Sequence, residues 1–205
     1  MLASFFDCLA LVTNNSPTGA VPLSSGSLYS LVIYETSVLA VISVFLKYRG
    51  WSKADFNLKI SGRLFFAGLL LFLTYYAFVV LIYAFSASLC SSIKFFDANR
   101  IFKIGSLNSY SVIAASIINP IYEEVLLVGY IIGALKGKKG IVFAINISVL
   151  FRFLCHLYQG PLAAIEIIPM DLLFAYVYHR WEKLFPLIVA HGILHYIGFL
   201  RLSSL

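Results

Sequence analysis

The sequence predicts an all-α protein, a polytopic transmembrane helical bundle of about six spans. Three observations predict it. Of the 205 residues, 61% are hydrophobic and only 12% charged, whereas soluble domains carry about 45–50% apolar and about 25% charged residues. Apolar runs near the roughly 20 residues that cross a hydrocarbon core recur along the chain. Basic residues fall in the short gaps between those runs, dense in one gap and sparse in the next. The net charge of +6 therefore reads as orientation in a membrane rather than affinity for nucleic acid. No basic patch with interleaved aromatics stands apart from the apolar runs.

Residues 1–13 are apolar but short, lack a basic leading region and contain Asp7. That is a poor signal peptide, and a re-entrant or surface segment is expected. Residues 14–27 are rich in Ser, Pro, Gly and Asn and read as a loop. The first span covers about 28–46 and carries Glu35; a basic loop leads to the second, about 64–90. A polar, partly amphipathic link over 91–106 precedes the third span, about 110–135. Pro120 removes a backbone donor there and predicts a kink. Gly129 and Gly133 form a face for close helix contact, expected to serve packing inside the chain. Lys136, Lys138 and Lys139 with Gly137 and Gly140 end that helix. The fourth span, about 141–158, turns at Gln159-Gly160-Pro161 into the fifth, about 162–178, which Pro169 interrupts. A basic turn over 179–183 leads to the last, about 184–200.

Loops 47–63, 136–139 and 179–183 hold ten Lys/Arg; the opposite side holds four, Lys94, Arg100, Lys103 and Arg201. The basic side is expected in the cytoplasm. Three cysteines, Cys8, Cys90 and Cys155, lie far apart with no CxxC, so neither a disulfide framework nor a thiolate metal site is expected.

The chemistry is expected in Asn119-Pro120-Ile121-Tyr122-Glu123-Glu124-Val125-Leu126-Leu127-Val128-Gly129. A charge at bilayer depth costs roughly 2.5–3.5 kcal/mol on insertion scales, and intramembrane ionisable groups are functional by default. Glu123 and Glu124 stand about 100° apart on a helix, so one can face a cavity while the other orients a neighbour. A structural ion pair with Arg152 is the plainer reading. His156 closes the fourth span, with Arg152 one turn earlier on the same face. His191 and His195 are spaced i, i+4 and also share a face; such a pair can bind metal or aim two N–H donors at one oxyanion. The plainer readings are packing and interfacial histidines. Three histidines and a carboxylate would suffice for zinc, but HExxH is absent and both glutamates lie on a different helix from any His. A zinc site and a metal-free Glu/His site are equally compatible with the spacing. His179 reads as ordinary surface. Glu166 and Asp171 straddle Pro169 and could pair with Arg152 or shape a polar cavity, and Glu35 lies near an interface or marks a contact with another helix.

Together these segments resemble the CPBP family, the CAAX-protease and bacteriocin-processing (Abi) group of intramembrane proteases. Pro120–Gly129 looks like the family's Glu-Glu-x-x-x-Arg block. The helix ending His156-Leu157-Tyr158-Gln159-Gly160 looks like its second motif. Pro186-Leu187-Ile188-Val189-Ala190-His191 stands where the family has His-x-x-x-Asn or His-x-x-x-Asp. The resemblance covers about Tyr110 to Leu200, and three positions depart from it. Val128 occupies the place of the family's Arg, Arg152 stands where a Phe commonly precedes the second-motif His by four, and His195 replaces the usual Asn or Asp.

The resemblance implies an N-terminal membrane region over residues 1–106 with about two transmembrane helices, and a CPBP/Abi-like protease domain over 107–205. It implies that the last four spans enclose the catalytic core. The implied activity is hydrolysis of a peptide bond in a membrane-associated or prenylated protein, or in a small peptide precursor, within the bilayer of a bacterial plasma membrane. Glu123 would activate water and His156 position it; His191 and His195 would bind the oxyanion, and Glu124 would orient the site. Zinc held by His156, His191 and His195 with Glu123 is the metal-dependent version. A non-catalytic scaffold or bacteriocin-immunity protein of the same fold is the alternative, motivated by Val128 and His195. A proton-coupled transporter is less favoured, since no inverted repeats are visible. If Arg152 restores from the next helix the positive charge missing at Val128, Arg152→Leu is expected to be as damaging as loss of Glu124, measured as activity or phenotype at matched expression.

Overall fold

The computed structural model describes residues 21–52, 54–89, 102–157 and 161–203. The reading of residues 1–13, most of the link over 91–106, and the sites of Cys8 and Cys90 lie outside the described residues. The helices are α1 (Ser25–Tyr48), α2 (Gly62–Leu89), α3 (Ser109–Glu123), α4 (Ile131–Lys139), α5 (Ile141–His156), α6 (Pro161–Trp181) and α7 (Phe185–Ser203). A π-helical stretch, Glu124–Tyr130, joins α3 to α4, so one continuous rod runs over Ser109–Lys139. The six expected apolar runs are thus six helical rods, each within a few residues of its predicted bounds. The protein is an all-α helical membrane bundle.

Four segments among the described residues are long and apolar enough to cross a membrane: Ser25–Tyr48, Gly62–Leu81, Ser109–Lys139 and Phe185–Leu202. Helix α5, with 16 residues, is about 24 Å long at 1.5 Å per residue, short of a hydrocarbon core of about 30 Å. In an apolar 18-residue stretch of each, only 11% of the first span and 17% of the second are buried within the protein, against 67% for the stretch in Ser109–Lys139. The third rod is therefore the axis around which the others stand. Helix α1 packs on α3, α2 on α7, α7 on α3, and α5 on both α4 and α6. The outer faces of α1 and α2 present Ile33, Val41, Val44, Phe66, Leu70 and Leu81, side chains that suit lipid tails.

Two features depart from the sequence reading: α6 continues from Pro161 to Trp181 through Pro169 without the interruption expected there, and a short strand pair joins two distant segments. Val21–Leu23 (β1) pairs in parallel with Phe102–Ile104 (β2), Val21 opposite Phe102 and Leu23 opposite Ile104. Three residues are too few for an alternating pattern to declare itself, so both segments read as loop and link. The pair is extended by Gly105 N–H donating to the Leu23 carbonyl at 2.8 Å and Ser25 N–H to the Ser106 carbonyl at 3.0 Å. It ties the start of α1 to the start of α3. Both starts are capped by side chains. Ser24 and Ser27 form a reciprocal capping box at α1, and Asn108 Oδ1 accepts from Ser111 N–H at 2.8 Å at α3.

The opposite end gathers the three basic loops. The Trp51 ring meets Phe56 at 5.4 Å and Tyr130 at 5.1 Å, and Lys136 pairs with Glu182. Both partners of that pair are largely exposed, so it contributes at most about 1 kcal/mol. Gly140, at φ +86°, supplies the left-handed turn between α4 and α5. The expected use of the Gly129–Gly133 face inside the chain holds. A Cβ at Gly129 would lie 2.8 Å from Leu184 Cδ1, and one at Gly133 would lie 3.1 Å from Trp51.

The main core runs from Leu71 and Phe72 of α2 through the π-helical stretch and α4 to α5, α6 and α7, around Val128, Ile132, Phe174, Leu184, Leu187 and Ala190, with Leu46 and Phe56 at its edge. Pro120 has no N–H, so the Ser116 carbonyl one turn earlier lacks its helical donor. Gly192 of α7 comes against that carbonyl so closely that a Cβ would lie 2.8 Å from the oxygen. Gly192→Ala is expected to push α7 off α3 and cost about 1–3 kcal/mol, the usual penalty for overpacking. Thermal unfolding in detergent measures it.

Candidate active site

The third rod carries the candidate acids where its helix changes pitch. Glu123 ends α3, and Glu124 begins the π-helical stretch. Ile131 N–H reaches back to the Leu126 carbonyl, five residues rather than four, which inserts an extra residue into the rod. Such π bulges recur at functional sites because they re-aim side chains without breaking the helix. Glu123 is 8% exposed and Glu124 fully buried, so both members of the pair face the protein interior.

Arg152 of α5, 1% exposed, binds these acids together. Its Nη2 donates to Glu124 Oε1 at 2.8 Å and its Nη1 to Asp171 Oδ1 of α6 at 2.9 Å. Its Nε lies 3.6 Å from Glu123 Oε2, an ion-pair distance too long for a hydrogen bond. A buried guanidinium loses several kcal/mol of hydration, which only well-made pairs offset. Ser148, one turn before Arg152, donates its hydroxyl to the Leu127 carbonyl at 2.6 Å and fixes α5 against the π-helical stretch.

Glu124 Oε1 also sits 2.7 Å from His191 Nδ1 of α7. A carboxylate held by Arg152 only accepts, so His191 Nδ1 carries the proton. The same logic applies to His156, whose Nδ1 is 2.9 Å from the Arg152 carbonyl oxygen. Carbonyl oxygens cannot donate, so His156 Nδ1 carries the proton too. In their neutral forms both histidines then present a lone pair at Nε2. His195 stacks edge-on against His191 with ring centroids 4.7 Å apart and against Phe199 at 5.7 Å. Its Nδ1 is buried with no hydrogen-bond partner among the described residues. An orphaned N–H is rarer than an orphaned acceptor, which favours the proton on Nε2.

All five candidate residues, Glu123, Glu124, His156, His191 and His195, therefore meet in one interior cluster. Glu123 lies within electrostatic reach of His156, His191, Arg152 and His195. The two acids differ in occupancy. One oxygen of Glu124 takes both strong donors. Glu123 receives a single long hydrogen bond, from Asn119 Nδ2 to Oε1 at 3.3 Å, and its Oε2 accepts none. His179 lies exposed at the end of α6, away from the cluster. The side chain of Glu166 lies outside the described residues. Asp171 and Glu35 join the network, Asp171 through Arg152 and Glu35 through Asn119. Asn119 and Ser148 were not legible as site residues. Asn119 stands one turn before Glu123, and that spacing was the available signal.

The zinc version needs His156, His191, His195 and Glu123 to converge as ligands. Among the described residues no three His, Cys, Asp or Glu side chains form a group that could hold an ion. As placed in this structure, His156, His191, His195 and Glu123 do not converge as a ligand set. Helices α2, α3 and α7 line an open trough of about 470 Å³, with Ser116, Gly192, Phe65, Ile117 and Tyr196 among its lining residues and none of the five cluster residues. Its rim is apolar and open to the outside, with Ile117 52% and Phe65 47% exposed.

Residues 105–197 match the family model described as type II CAAX prenyl endopeptidase Rce1-like. The match takes in all five cluster residues and a little under half of the chain. No curated protein and no solved structure matches the chain. The resemblance read from the three sequence blocks holds over this segment. Removing one partner of a buried ion pair costs about 3–5 kcal/mol. Asp171→Ala is therefore expected to lower stability by that order, and Asp171→Asn by less because the amide keeps an acceptor. Denaturation followed in detergent distinguishes them.

Proposed function

We propose that this chain, Rce1-like over residues 105–197, is an intramembrane endopeptidase. Its substrate would be a membrane-associated or prenylated protein or a small peptide precursor. The observation that carries the reading is the Glu123 carboxylate, whose Oε2 accepts no hydrogen bond among the described residues and has only the Arg152 guanidinium at ion-pair distance, with three histidines in electrostatic reach. Glu123 takes a proton from a water molecule, and the hydroxyl oxygen attacks the scissile carbonyl carbon. His156, through its Nε2 lone pair, accepts a hydrogen bond from that water and holds it in line. The tetrahedral oxyanion receives the His195 Nε2–H. His191, whose Nδ1–H is spent on Glu124, donates to it only with both ring nitrogens protonated. The proton on Glu123 passes to the leaving nitrogen as the C–N bond breaks, giving a carboxylate and an amine. Glu124 and Arg152 orient these groups without touching substrate.

The low dielectric of the interior strengthens each of these interactions. The apolar trough between α2, α3 and α7 would take a lipid-bearing or hydrophobic segment of the substrate. The basic end formed by the three loops is assigned to the cytoplasm, by the positive-inside rule, with a bacterial plasma membrane as the setting.

A second reading, a scaffold or immunity protein of the same fold, draws support from Val128 and His195 at positions where the family differs. Profiling of new N-termini separates the two, in cells with wild type, Glu123→Ala or His156→Ala at matched expression. Specific termini are expected with the wild type, falling by about 10²–10⁴ without the general base. Unchanged termini in all three, with a phenotype that survives Glu123→Ala, would overturn the protease reading. Cleavage is also expected to persist in protein stripped of metal by chelation, with metal content measured on the same sample.

A further inference from the structure

Glu35 is a carboxyl group on a helix whose other buried side chains are Leu28 and Leu46. It lies on α1, before the segment that matches the family model, and yet it is only 2% exposed. A lone acid in such a helix is costly, so what it touches matters. Its Oε1 accepts from Asn119 Nδ2 at 2.6 Å. The same nitrogen lies 3.3 Å from Glu123 Oε1. One amide NH2 therefore bridges two carboxyl groups, one hydrogen to each.

We propose that Glu35 is a positioning residue for Glu123, acting through the Asn119 amide. An asparagine side chain can turn either its NH2 or its carbonyl oxygen toward a neighbour. With the carbonyl toward Glu123, two acceptors would oppose each other in a buried site, and Glu123 would swing away. Glu35 selects the other orientation, because its oxygen takes one amide hydrogen and thereby aims the second at Glu123. Glu123 then has one oxygen held and one left for chemistry, as its orphaned Oε2 indicates. The acid on α1 thus makes the N-terminal region part of the machinery. Asn119 Oδ1 and Glu35 Oε2 are likewise without partners among the described residues.

The inference rests on Glu123 as the general base, and the test separates the two. The full-length protein is reconstituted in lipid vesicles and assayed on a peptide spanning a cleavage site found by N-terminus profiling. Glu35→Leu removes the buried acid, so insertion and folding are expected to survive. It is expected to lower kcat about 10- to 100-fold, the scale of a misaimed catalytic group, with KM within about 2-fold of the wild type. Glu35→Gln, which keeps an acceptor for Asn119, is expected to recover most of the loss. Asn119→Leu is expected to lower kcat alike, and to add little to Glu35→Leu because both act through one contact. Wild-type kcat in Glu35→Leu, while Glu123→Ala is inactive, overturns this inference alone. Equal losses in the Leu and Gln variants that track a lowered Tm also overturn it, leaving a merely structural tie. Cleavage that survives Glu123→Ala, or no cleavage by the wild type, overturns the protease reading and this inference with it.

Discussion

A guanidinium with 1% of its surface exposed can exist inside a membrane protein only where anions meet it on nearly every side. Arg152 meets that condition. It reaches Glu124, Asp171 and Glu123 from α5, and Glu124 in turn holds His191 of α7. Helices α3, α5, α6 and α7 are therefore joined through one side chain. None of these charges is tolerable alone at bilayer depth. Their mutual dependence is what makes the last four rods close around a polar interior.

The position of that cation also reshapes the site relative to the family pattern. An Arg at position 128 would lie one turn after Glu124 on the same rod, and would pair with it almost regardless of how the helices pack. Here Val128 joins the apolar core with Ile132, Phe174 and Leu187, and the charge comes from a different helix. The pairing then depends on how α5 seats against the π-helical stretch, which the Ser148 hydroxyl and the Leu127 carbonyl fix. Local geometry has been exchanged for tertiary geometry.

Hydrogen-bond occupancy separates two acids that look alike. Glu124 is taken up by Arg152 and His191, while Glu123 Oε2 accepts no hydrogen bond among the described residues and has only the longer ion pair to Arg152. Occupancy also fixes the tautomers. Because a carboxylate and a carbonyl oxygen accept only, His191 and His156 hold their protons at Nδ1 and turn Nε2 toward the interior. Two similar histidines therefore offer lone pairs when neutral, and His195 is the one suited to donate.

The sequence by itself determined the class of protein, the six helical rods and the residues of the central cluster. Each of those rests on local information: an apolar run of sufficient length, a proline or glycine that ends it, and ionisable groups whose burial would be prohibitive without a partner. It also restricted the partners of Arg152 to a few buried acids, Glu123, Glu124, Glu166 and Asp171. What only the tertiary structure decided is which atom meets which. Asp171 on Arg152, Asn119 between Glu35 and Glu123, the π-helical stretch that follows Glu123, and the short β1–β2 pair depend on the approach of segments distant in the chain. Hydropathy is a sum over neighbours in sequence and is blind to that approach, whereas a hydrogen bond is set by a few tenths of an ångström between helices.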